Sequence, residues 1–176
     1  GCTLNETSEA EIPTWNKNSC KSEIRKMSFL PIHEVLERVV PVGEEETWCA
    51  LEGNQQSFSL KLQDWRKRVG LDASTPLNLF ASIALWGDSA PYVKGDSLFL
   101  LTWTLLSGPR RTRFWLCAFP KRDMCQCGCM GRCTMDGIMK VLAWMFRILM
   151  TQRFPKHDHN GTPIPAKSLA SKDGRQ

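Results

Sequence analysis

The chain has 176 residues, 42% of them hydrophobic, with seven tryptophans and a formal net charge of +5; this is enough apolar material for one domain core, or a domain with an appendage. No run of eighteen or more apolar residues occurs, which excludes an apolar transmembrane helix and leaves no membrane partner expected. Eight cysteines fall short of disulfide-scaffold density, and with Cys2, Cys20, Cys49 and Cys117 scattered they point to an intracellular, reducing compartment.

Charge is unevenly placed. Residues 1–60 hold five Lys/Arg against ten Asp/Glu, whereas residues 61–176 hold eighteen against eight. A basic field of this kind favours a polyanion partner, DNA or RNA, and with it a nuclear location. A solvated face also explains any one basic cluster. Gly1 opens the chain with no signal-like segment after it, as expected of a processed chain or an excerpt of a longer one.

Residues 1–28 are rich in Asn, Ser, Thr, Glu and Lys and predict a polar, poorly ordered lead-in. Residues 29–75 predict a helical segment. In PIHEVLERVV, from Pro31 to Val40, Ile32, Val35, Leu36 and Val39 recur at helical spacing, with Pro31 suited to a first turn and Pro41 to a stop. His33, alone on that helix, reads as a surface or capping histidine, and Glu44-Glu45-Glu46 as a solvated loop. A second helix from about Leu60 to Val69 would place Leu62, Trp65 and Val69 inward and Lys61, Arg66, Lys67 and Arg68 outward.

Residues 76–154 predict three strands, a cysteine loop and a helix. Leu79, Ala81, Ile83 and Leu85 alternate with Phe80, Ser82, Ala84 and Trp86; Phe99, Leu101, Trp103 and Leu105 form the apolar face of a second strand; Phe114, Leu116 and Ala118 alternate with Trp115, Cys117 and Phe119 in a third. Strands apolar on both faces belong in a covered sheet. Connections over about 87–96 and 107–111, the latter marked by Gly108-Pro109, are too short for helical crossovers, so the three form an antiparallel meander. Arg66, Lys67 and Arg68, with Arg110, Arg111 and Arg113, are the candidate nucleic-acid contacts, since arginines near Trp65 and Trp115 can stack on bases as well as meet phosphates.

Four cysteines follow within nine residues, Cys125, Cys127, Cys129 and Cys133 in CQCGCMGRCT. Thiolates gathered this tightly are a soft-ligand set suited to zinc. The spacing is unlike the usual C-x2-C pairs, and disulfides between cysteines two apart would be strained. All four could hold one ion, or two or three of them with His157 or His159 from the HDHNG segment; unmetallated thiols are the alternative. Thr134 reads as the N-cap of a helix running to about Thr151, which predicts a lowered thiol pKa for Cys133. Ile138, Val141, Leu142, Met145, Ile148 and Leu149 give that helix a wide apolar stripe, most economically packed across the meander. Residues 155–176, with Pro155, Pro163 and Pro165, predict an extended tail. The fold expected is α/β (α+β), a three-stranded antiparallel meander covered by a long C-terminal helix, with short N-terminal helices.

Three antiparallel strands followed by a helix resemble the opening of the ribonuclease H-like architecture, in which a parallel strand comes next and carboxylates hold divalent metals. Asp88 in WGDSAPY and Asp96 in KGDSLF are the candidate catalytic residues on that reading, with magnesium a cofactor only of a complete, longer enzyme; both also suit hairpin turns. The segments LWGDSAPYVKGDSLFLLTWTLLSG, RTRFWLCAFPKRDMCQCGCMGRCTMDGIMKVLAWMFRIL and FPKHDHNGTPI resemble uncharacterised multi-copy predicted proteins of dinoflagellate algae, over about residues 75–165. The resemblance implies a fragment of a mobile-element-derived, transposase-like protein that processes nucleic acid and is inactive alone. The alternative is a non-catalytic zinc-binding or nucleic-acid-binding module.

Overall fold

Residues Ser8–Asn16 (β1) and Lys21–Phe29 (β2) pair antiparallel, in register from Ser8 opposite Phe29 to Asn16 opposite Lys21. The lead-in expected to be poorly ordered over residues 1–28 is therefore largely a hairpin. Its composition is polar because only one face is buried. Ala10, Ile12 and Thr14 alternate inward on β1, as do Met27 and Phe29 on β2, while Glu9, Glu11, Lys26 and Ser28 face outward. Asn16 shapes the turn, its Oδ1 accepting the N–H groups of Asn18 at 3.0 Å and Ser19 at 3.3 Å.

The computed structural model describes residues 7–40, 43, 55–68, 70, 82–106, 112–151 and 155–164. After the hairpin come α1 (Ile32–Val39), α2 (Gln55–Arg68), β3 (Ile83–Val93), β4 (Asp96–Leu105), β5 (Arg113–Pro120), a 3-10 turn (Lys121–Asp123) and α3 (Arg132–Thr151). The fold is mixed α/β, with a two-stranded sheet β1-β2 and a three-stranded antiparallel meander ordered β3-β4-β5. The meander and the C-terminal helix are as the sequence predicts. Among the described residues no parallel strand follows α3, so the arrangement that would extend the meander toward a ribonuclease H-like fold is not seen there. None of the described helices is long and apolar enough to cross a membrane.

Two compact units divide the chain. The first comprises Gly1–Arg38, Gly87–Leu101 and Trp115–Gln176. In it α3 lies against β1, with Ile138, Val141, Leu142, Met145 and Ile148 buried on one stripe. Gly137 permits the approach, since a Cβ there would sit 3.0 Å from Pro13 Cδ and 3.3 Å from Ile12 Cδ1. Ile12, Phe29, Ile32 and Val35 are each no more than 1% exposed, and burying such side chains contributes about 1.5–3 kcal/mol apiece. Leu30 N–H donates to Leu116 O at 2.9 Å, tying the hairpin's end to β5. His33, expected at the surface, is buried with its ring edge-on to Trp144 at 5.5 Å; burial pushes its pKa down to about 4. It faces inward because it follows Ile32 in a helix whose first turn is wholly buried.

The second unit comprises Val39–Trp86 and Thr102–Phe114. Trp103 is fully buried there and stacks on Phe114, ring centroids 4.7 Å apart. In α2 Lys61, Lys67 and Arg68 are exposed as expected, but Trp65 and Arg66 exchange places, with Trp65 46% exposed and Arg66 8% exposed, while the side chain of Leu62 and all of Val69 lie outside what is described. The helix begins before the expected Leu60 and is polar almost all round, so three apolar positions at its end were too few to orient it. Leu79, Phe80, Ala81, Gly108 and Pro109 lie outside the described residues.

The first strand of the meander continues through the stretch read as a connection. WGDSAPY has turn composition, yet β3 runs on to Val93 and the chain turns at Lys94-Gly95. Pro91 is tolerated because β3 is an edge strand, where a missing N–H breaks no ladder. Gly87 leaves room for Phe99, whose Cζ would stand 3.3 Å from an added Cβ.

Candidate metal centre

The loop from Met124 to Arg132 is wound by its own backbone. Gly131 N–H donates to Cys125 O and Arg132 N–H to Cys129 O, both at 3.0 Å. Gly131 is favoured by its φ of +82°, and a Cβ there would also displace the flexible end of Met124, whose Cε would lie 2.7 Å away. This winding brings Cys125, Cys127, Cys129 and Cys133 together, all four Sγ atoms lying within 4.8 Å of one another. Cys127 Sγ and Cys133 Sγ are 3.9 Å apart. Sulfurs around a tetrahedral zinc, at about 2.3 Å from the metal, stand about 3.8 Å apart. The four cysteines could thus hold a metal ion.

One threonine anchors the loop to two distant elements. Thr134 Oγ1 accepts the Cys125 N–H at 2.9 Å and donates to Pro13 O at 2.6 Å. Thr134 was expected as the N-cap; α3 starts two residues earlier, at Arg132, and Thr134 sits fully buried in its first turn. Cys125 is buried beside it, Sγ 3.8 Å from Ser22 Oγ on β2, while Cys127 is exposed and Cys129 and Cys133 are intermediate. The contributions of Pro13 and Ser22 carry no sequence signal, because each acts across more than a hundred residues.

The thiol favoured as thiolate is not the expected one. Cys129 has its pKa lowered to about 6, chiefly because the Cys133 backbone N–H, at the start of α3, hydrogen-bonds its sulfur. Cys133, expected to be lowered by the helix N-terminus, is pushed up to about 12 by its side-chain hydrogen bonds to Cys129 and then Cys127. Cys127 is also raised, first by its hydrogen bond to Cys125. A helix N–H stabilises the atom it points at, which is the sulfur four residues back, and the neighbouring thiols then keep their protons to donate to that thiolate.

His157 and His159 do not join the thiols. Among the described residues the four cysteines form the only group of three or more potential ligands brought together. His157 is held through its carbonyl by Trp144 Nε1 at 3.0 Å, and Trp144 stands eleven residues along α3 from Cys133, about 16 Å by helical rise. No protein family, curated protein or solved structure was found to match this chain.

The two candidate catalytic carboxylates also stand apart. Leu106 N–H donates to Ser82 O at 2.8 Å, a pairing that in continuous register sets Tyr92 opposite Asp96, and Tyr92 Oη donates to Asp96 Oδ2 at 3.1 Å. Asp88 lies four residues from Tyr92 on the same strand, about 13 Å away. Asp96 also meets Ser97 N–H at 2.8 Å and Arg122 Nε at 3.2 Å. Desolvation raises its pKa, but these partners together hold it below the usual carboxylate value. Asp96 thus fastens the hairpin turn to the segment after β5. Of the candidate nucleic-acid contacts, Arg68 pairs with Asp64 at 2.6 Å, Lys67 is exposed and Arg66 buried, and Arg110 and Arg111 lie outside the described residues. Arg113 Cζ lies 5.1 Å from the ring centroid of Trp86, a cation-π pair on an exposed indole.

Proposed function

We propose that this chain is a non-catalytic zinc-binding module, in which an ion held by Cys125, Cys127, Cys129 and Cys133 pins the loop after β5 to α3 and to the β1-β2 hairpin. The observation that carries this reading is the convergence of four sulfurs within 4.8 Å, close to the edge length of a zinc-thiolate tetrahedron. The exposed and intermediate positions of three of them suit a site with an entry path. The free thiols fit a reducing compartment. Protein purified under reducing conditions should carry close to one equivalent of zinc, and Cys133→Ser should lose most of it. Elemental analysis finding no metal would overturn the reading.

A second reading is that the chain belongs to a mobile-element-type nucleic-acid-processing protein. It is favoured by the pairing of Arg113 with exposed Trp86 and by the basic excess after residue 60. Such a surface should bind single strands with steep salt dependence, reduced when Arg110, Arg111 and Arg113 are all replaced by Gln. Binding that is weak and indifferent to salt would discard it.

A further inference from the structure

The tail expected to be extended folds back over residues 155–164, and with α3 it frames a second site of different chemistry. Asp158 Oδ1 accepts the N–H groups of Asn160 and Thr162, both at 2.8 Å. Asp158 N–H donates to Thr162 O at 2.8 Å, and Ile164 N–H to Lys156 O at 3.0 Å. Trp144 Nε1 fastens this turn to the helix through His157 O. Between turn and helix lies an open cavity of about 800 Å³.

Its walls are cationic. Lys140 and Arg147 reach it from α3, on the same helix face as Trp144, and Lys156 reaches it from the turn, beside the imidazoles of His157 and His159. The one carboxylate in the lining, Asp158, already serves two N–H groups of its own turn. Lys140 and Arg147 make no ion pair among the described residues. Lys140 and Arg147 together repel metal ions and suit an anion with several acceptor oxygens.

We propose that this cavity binds phosphate groups, carried either by a free nucleotide or by a nucleic-acid strand. The inference does not rest on the cysteine cluster, which lies at the first turn of α3. The test titrates the full chain, as purified with its metal content, with ATP and with single-stranded oligothymidylate at low salt. The double variant Lys140→Gln/Arg147→Gln is compared with a charge-matched control, Lys17→Gln/Lys94→Gln, whose residues are exposed and outside the cavity.

The double variant should bind at least about tenfold more weakly with an unchanged thermal midpoint, its oligonucleotide salt slope should fall by about 1.4, and the control should stay within about threefold of the parent. The His159 ring resonances should move on titration of the parent. Saturation by ATP alone assigns the site to free nucleotide, and saturation by the oligonucleotide alone to a strand. Binding of neither probe, or equal weakening in the double variant and the control, overturns the proposal.

Discussion

Two candidate sites on α3 are built on opposite principles. At the first turn, four thiols from nine consecutive residues are gathered by a loop that hydrogen-bonds to itself. Along the middle of the helix, a basic cavity is assembled from one helix face and a turn that begins several residues after the helix ends. The first is a local site whose ligands are adjacent in sequence; the second exists only once the tail has docked through Trp144. Local sites announce themselves in composition, and docked ones do not.

The largest effect that could break this contrast is removal of the zinc proposed for the four cysteines. Structural zinc sites contribute apparent free energies on the order of 10 kcal/mol, so a strong chelator should lower the thermal midpoint sharply and loosen β1, β2 and the loop together, as read by amide exchange. Unchanged exchange in the hairpin after chelation would show that the thiol loop is an appendage and not the pin of the unit.

Legibility followed the same contrast. The cysteine cluster, the meander and the long helix were readable because their signals, ligand type and apolar periodicity, lie within short windows. The β1-β2 hairpin was not, because a strand with one solvated face in a two-stranded sheet has the composition of a loop; its buried members, Ala10, Ile12, Met27 and Phe29, are spread among charged neighbours. The alternative that joined His157 or His159 to the thiols rested on ligand type alone, and helical rise separates them. Cys133 was expected to be the thiolate from its position at the helix start, whereas the helix N–H points at Cys129.

Next in size is the threonine that joins loop, helix and hairpin. Thr134→Val keeps the shape and removes the partner of Cys125 N–H and the donor to Pro13 O. Leaving two buried backbone groups unsatisfied at about 1–3 kcal/mol each, it should cost about 2–5 kcal/mol in denaturant unfolding, with zinc affinity falling alongside. A loss under about 0.5 kcal/mol would mean water replaces both bonds.

His33 gives a smaller effect with a defined sign. Its pKa is lowered from 6.5 to about 4 by burial, so between those values the unfolded chain binds a proton that the folded chain does not. Stability is therefore fully present above about pH 6.5 and falls as the pH drops toward about 4, by up to about 3 kcal/mol. His33→Phe, which keeps a ring beside Trp144, should flatten that acid limb. Zinc release on acidification is common to both proteins and cancels in the difference, so identical limbs would place the titration elsewhere.

The smallest effect concerns the carboxylates, where the contrast between local and assembled sites is sharpest. A two-metal phosphoryl-transfer centre needs carboxylates around metals about 3.5–4 Å apart, and Asp88 stands about 13 Å from Asp96 along the hairpin. Asp88 is exposed and accepts only the N–H of its neighbour Ser89, at 2.6 Å, among the described residues. Asp96 is committed to Tyr92, Ser97 and Arg122. Asp88→Asn should therefore change stability by no more than about 0.5 kcal/mol, and the chain should cleave neither DNA nor RNA with magnesium or manganese. Robust metal-dependent cleavage that disappears in Asp88→Asn would mean that residues outside those described supply the missing carboxylates, and that this hairpin is half of an assembled site after all.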